Sequence, residues 1–64
     1  MFTIEEEDRL LGTRRVYKKV YPNEGEARVQ AEFMSRMCPP FVFFIVVNRK
    51  GVTVATYQGA PQKK

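Results

Sequence analysis

Residues 41–47 read Phe-Val-Phe-Phe-Ile-Val-Val, an unbroken apolar run that starts directly after Pro39 and Pro40. Seven residues are far short of the roughly 20 a membrane-crossing helix requires, and the run is made of aromatic and β-branched residues that suit a pleated surface. It therefore predicts a β-strand that is apolar on both faces. Asn48-Arg49-Lys50-Gly51 follows, with a glycine suited to the positive φ of a tight turn, and then residues 52–58, again rich in β-formers. A β-hairpin is the expectation. With Val47 opposite Val52, Ile45 would pair with Val54, Phe43 with Thr56 and Phe41 with Gln58, while Val42, Phe44, Val46, Ala55 and Tyr57 would populate the other face.

A strand of this kind needs cover on both sides, and the sequence upstream offers one helix to supply it. Asn23 has the chemistry of an N-cap, Glu26 stands three residues on, and Glu24 and Glu26 complement the positive end of the helix dipole. Ala27, Ala31, Met34 and Cys38 recur at helical spacing, Phe33 and Met37 widen that stripe, and Glu24, Arg28, Glu32, Ser35 and Arg36 form the wet side. Pro39 and Pro40 end the helix.

Ahead of it, residues 13–21 carry Val16, Tyr17, Val20 and Tyr21 before Pro22 and predict the first strand. Thr3 and Glu6 have capping-box spacing before Gly12, which offers a short helix over the acidic N-terminal segment 1–12, with a strand end at residues 1–4 as the alternative. The expected fold is thus α+β: one domain over residues 1–64, β-α-β-β, a three-stranded mixed sheet packed on one main helix through a right-handed crossover. Residues 59–64 form a short basic tail expected to be flexible.

Such a fold leaves one sheet face uncovered. A chain of 64 residues buries only about 60% of its unfolded surface, and with one cysteine and no histidine it has neither a disulfide nor a zinc site to brace it. The expectation is that Val42, Phe44, Val46 and Tyr57, or their alternates, form an interface in a homodimer, with the N-terminal segment as a further cover. With 44% apolar and 28% charged residues, the composition is that of a globular domain. The acidic start has none of the charge pattern of a secretory leader, which predicts a cytoplasmic protein with no membrane association.

Charge is segregated along the chain: residues 1–12 carry −3, residues 13–22 carry +4, residues 23–38 carry −1 and residues 39–64 carry +4. Within the first strand Arg15, Tyr17, Lys19 and Tyr21 alternate onto one face, and Arg14 and Lys18 fall on the other. Cations interleaved with aromatics suit a single-stranded nucleic acid or a nucleotide ligand, with Arg49 and Lys50 at the hairpin tip as a clamp. The competing reading is that these lysines and arginines blunt a sheet edge while Tyr17 and Tyr21 pack under the helix.

Catalytic parts are missing from the inventory. Cys38 has no histidine to activate it and sits at the negative end of a helix, so it reads as a small buried hydrophobe. Glu5, Glu6, Glu7 and Asp8 are consecutive and cannot converge on one metal or reacting atom. The sequence accordingly predicts a non-enzymatic binding module without cofactor or metal. Its anionic partner, nucleic acid or a nucleotide at the subunit interface, would be met by Arg14, Arg15, Tyr17, Lys18, Lys19, Tyr21, Arg49 and Lys50. The alternative is a protein-interaction module, an inhibitor or adaptor, working through an apolar sheet face or sheet edge. In size and plain domain content the chain resembles small accessory proteins of phages and mobile elements.

Overall fold

A computed structural model describes residues 1–61. Its elements run β1 (Phe2–Asp8), β2 (Thr13–Val16), α1 (Glu24–Arg36), β3 (Val42–Asn48) and β4 (Thr53–Gln58). The four strands form one antiparallel sheet in the order β2-β1-β3-β4, with α1 packed across one face. The α+β class and the single main helix agree with the sequence reading; the topology corrects it. The N-terminal segment is a central strand rather than a short helix, β1 returns antiparallel to β3, and the sheet has four strands where three in mixed orientation were expected.

The glutamate-rich stretch is held extended by its neighbours. Ile4 is buried opposite Val46, Glu5 and Glu7 reach Arg14 on β2 at 3.5 and 3.9 Å, and Glu6 accepts a hydrogen bond from the Tyr17 hydroxyl. These partners are distant in sequence, which is why local propensity points the other way. Gly12 closes a turn instead of a helix. Asp8 Oδ1 accepts from the Leu10 and Leu11 amides, and Gly12 takes φ +71°. The second hairpin repeats the device, with Asn48 Oδ1 accepting from Lys50 and Val52 and Gly51 at φ +83°.

That hairpin forms where expected, two residues out of the expected register: Phe43 faces Gln58, Phe44 faces Tyr57, Ile45 faces Thr56 and Val46 faces Ala55, with a bulge between Val46 and Val47 that restarts the pairing at Thr53. A shift of two preserves which side chains share a face. Which face the helix takes is decided by β1. Its apolar Ile4 lies on the side of Val42, Phe44 and Val46, and its Glu5 and Glu7 lie on the side of Phe43 and Ile45. Val42, Phe44, Val46 and Tyr57 are therefore core or core-packed under α1, and they do not form the exposed interface predicted for them.

Helix α1 starts as predicted, with Asn23 Oδ1 accepting from the Glu26 amide at 2.8 Å. It is rolled further than its large residues suggest. Ala27, Ala31 and Ser35 are buried against the sheet, while Phe33 and Met37 are exposed. Small residues let the helix backbone lie close to Phe44 and Val46, and the Ser35 hydroxyl is satisfied by the Glu32 carbonyl at 2.7 Å. The expected flexible tail is partly docked. Gly59 is buried with its amide on the Val42 carbonyl at 2.8 Å, and Ala60 donates to the Ser35 and Cys38 carbonyls. Residues 62–64 of that tail lie outside the described residues.

Candidate functional site

The basic residues fall into two classes. Arg9, Arg14, Arg28 and Arg36 each pair with a glutamate, as in Arg28–Glu24 at 3.0 Å and Arg36–Glu32 at 3.1 Å. Arg15, Lys18, Lys19, Arg49 and Lys50 pair with no carboxylate among the described residues, and all five are exposed; Arg15, within β2, sits over the Tyr17 ring, and the other four lie beyond the regular strands.

Topology gathers these four at one end of the sheet. The regular part of β2 stops at Val16. Tyr17 still donates its amide to the Ile4 carbonyl at 3.0 Å, and Tyr21 bridges Phe2 through two backbone hydrogen bonds of 2.8 and 2.9 Å. Four residues of this segment span two of β1, so Lys18, Lys19 and Val20 bow away from the sheet. This is a correction to the single strand expected over 13–21. Phe2 in turn pairs with Asn48, the residue from which the Arg49-Lys50 tip projects. Tyr21, Phe2 and Asn48 thus lie side by side, and two strand spacings of about 4.8 Å set the Lys19 side of this end roughly 10 Å from the hairpin tip.

The aromatic part of the predicted site is largely occupied. Tyr17 and Tyr21 both pack against the core from the helix side of the sheet, as the structural alternative for them required. The Tyr17 hydroxyl is committed to Glu6, and burial, followed by that hydrogen bond, raises its pKa above the ordinary tyrosine value. Arg15 stacks over the Tyr17 ring at 5.7 Å and Lys19 over the Tyr21 ring at 5.1 Å. The cations and aromatics do interleave, but through contacts with one another, so Tyr17 and Tyr21 each have a cation over the ring where a base would stack. Arg14 lies on the opposite, open face, held by Glu5 and Glu7, and is separate from the basic end.

Two open grooves lie at this end, the smaller of them beside Phe2. One, about 760 Å³, is lined by Lys19, Val20, Tyr21, Glu26, Val29 and neighbouring residues of the α1 start; the other, about 250 Å³, is lined by Met1, Phe2, Asn48, Arg49 and Lys50. Sequence reasoning named the cations but not these grooves; the first is built from the contiguous stretch 19–30, whereas the second needs Met1 and Phe2 beside residues 48–50, far apart in the chain.

Elsewhere the chemistry is quiet. Glu5 and Glu7 point to one face of β1 and Glu6 to the other, and no group of acidic or sulfur ligands capable of holding a metal occurs among the described residues. Cys38 is half-buried beside the core, and burial, with a smaller contribution from the Glu6 charge, pushes its thiol pKa up. No helix among the described residues is long and apolar enough to cross a membrane. Compared with protein-family models, with curated proteins and with solved structures, the chain finds no match.

Proposed function

We propose that this protein is a non-enzymatic binding module that holds a single-stranded nucleic acid by its phosphates at the end of the sheet bearing Lys18, Lys19, Arg49 and Lys50. The observation that carries this reading is the segregation of cations: of five exposed ones without carboxylate partners among the described residues, four converge from two segments on one end and the fifth, Arg15, stacks on Tyr17, while Arg9, Arg14, Arg28 and Arg36 are paired with glutamates. Unpaired cations attract a polyanion and release its counterions on binding. A polyanion fits better than a mononucleotide, because the grooves are open and the tyrosine rings that would grip a base are occupied. Binding of this kind is tolerant of sequence and steep in salt.

The test is an NMR titration of the labelled protein with a mixed-sequence single-stranded oligonucleotide at low and moderate salt. Saturable shifts are expected at the amides of residues 17–21 and 48–51, with log K falling against log salt by a slope near −3, roughly 0.7 per contacted phosphate for four cations. Lys18→Glu with Lys19→Glu should remove most of the binding, and Arg36→Glu, at the far end of α1, should not. A flat titration at low salt, or full affinity in the Lys18/Lys19 variant, overturns the reading.

A further inference from the structure

Both edges of the sheet are open among the described residues, and they differ in kind. The β2 edge is four residues long, carries Arg14 and Arg15, and then bows out at Lys18 and Lys19, all devices that discourage strand addition. The β4 edge, Thr-Val-Ala-Thr-Tyr-Gln, has no charged residue and no proline, and its only irregularity is the bulge at its Thr53 end. Its backbone polarity can be worked out. Gly59 donates to Val42, so by antiparallel alternation Tyr57 and Ala55 turn their amides and carbonyls towards β3, and Thr56 and Gln58 turn theirs outward.

We propose that this edge pairs with the β4 edge of a second copy, antiparallel about a two-fold axis through Thr56, to make a continuous eight-stranded sheet. The register follows from self-complementarity. Directly opposed residues must share a face, so the axis passes through a residue. Centring on Thr56 places two outward-facing groups against each other and seats residues 55–57 between the bulge, whose extra residue is Val54, and the point where Gly59 turns in. Thr56 then meets Thr56 of the second copy on the open face, a favourable cross-strand pair. On the helix side Ala55 lies opposite Tyr57 of the second copy, small against large on each side of the axis. Val54, the extra residue of the bulge, and Gln58 of the second copy mark the margin of the pairing, and no charged residue of β4 faces another. A foreign strand would gain the same backbone bonds without this match of side chains, which is why the second copy is the favoured occupant. The cations of the basic end take no part, so this dimer and the nucleic-acid reading stand or fall separately.

The experiment is backbone amide exchange of the full chain at low and high protein concentration, together with sedimentation over the same range. In a monomer the Thr56 and Gln58 amides face water and exchange freely, while Ala55 and Tyr57 are protected at any concentration. Dimerisation through β4 should slow Thr56 and Gln58 by about tenfold or more as concentration rises, the equivalent of roughly 1.4 kcal/mol, and shift the sedimenting mass to twice that of the monomer. Thr56→Pro, which removes an outward-facing donor at an edge position, and Thr56→Lys, which sets two cations on the axis, should both stay folded and monomeric. A wild type that remains monomeric at high micromolar concentration overturns the proposal. So does a dimer whose Thr56 amide stays unprotected, or one that survives both substitutions.

Discussion

Gly59 is the residue with least freedom to change. A Cβ built there would lie 1.9 Å from the Pro39 carbonyl oxygen and 2.8 Å from that of Cys38, both backbone atoms that no side-chain rotation can move. Its hydrogen bond to Val42 and those of Ala60 to Ser35 and Cys38 tie the end of β4 to the turn after α1. Gly59→Ala should therefore cost more than about 3 kcal/mol, at the severe end for a single methyl group, and the urea midpoint would show it; a loss within about 0.5 kcal/mol would mean that this junction is not closed as described. Tyr17 makes a second residue-level prediction, this time in pH. Its folded pKa is raised, by burial first and by the Glu6 hydrogen bond second. A group whose pKa is higher folded than unfolded contributes stability that is complete below the unfolded value, about 10 for tyrosine, and is lost as pH rises through the folded value. The Cys38 thiol, also raised by burial, acts with the same sign from a somewhat lower pH. The denaturation midpoint should hold steady from neutral pH to about 8 and fall above it, and Tyr17→Phe should flatten the upper part of that fall.

Among the elements, those with local signals were legible in the sequence and those held by distant partners were not. The α1 start was readable because a cap is a local device. Asn23→Ala removes the acceptor of the Glu26 amide and should cost about 1 kcal/mol, with Asn23→Asp or Asn23→Ser nearly neutral, as thermal melts would report. The β3–β4 hairpin was readable because Asn48 and Gly51 bracket its turn. The first hairpin carries the same signature, Asp8 four residues before Gly12, and could have been read the same way. It was obscured by three consecutive glutamates whose helix preference is overruled by Arg14, Tyr17 and Ile4's burial against β3. The roll of α1 was hidden for a related reason: apolar size favours Phe33 and Met37, whereas close approach to the sheet favours Ala27, Ala31 and Ser35. Of the candidate site, the cations were legible as residue types, but their convergence required the Tyr21–Phe2–Asn48 adjacency, which no local pattern records.

At the scale of the whole molecule, the question is how a domain this small tolerates an apolar strand that α1 covers on one face. Arg9 lies over the Phe43 ring with its guanidinium 3.9 Å from the centroid and is held there by Glu7 at 3.0 Å, while Arg14 bridges Glu5 and Glu7 alongside. Charged side chains thus cover part of the apolar strip, Arg9 with its guanidinium directly over the Phe43 ring. The N-terminal segment does not cover this face in the way expected: it is a strand of the sheet, Ile4 turns to the helix side, Leu10 and Leu11 are exposed, and its charged residues Glu5, Glu7 and Arg9 lie on the open face. The two faces of β3 should consequently differ sharply in energy. Phe44, 1% exposed beneath α1, anchors the core, and Phe44→Ala should cost about 3–5 kcal/mol. That is comparable to the roughly 3–5 kcal/mol a core of this size supplies, so the variant should lose its dispersed NMR spectrum altogether. Phe43→Ala, on the adjacent residue but the opposite face, removes a half-covered ring and one cation–π contact worth about 0.5–1 kcal/mol at an exposed site, and should leave a folded protein with a lowered denaturation midpoint. Recording both spectra decides which face of β3 is the core. If Phe43→Ala unfolds the chain while Phe44→Ala is tolerated, the helix lies on the face opposite to the one described, and the placement of Glu5, Glu7 and Arg14 on open sheet falls with it.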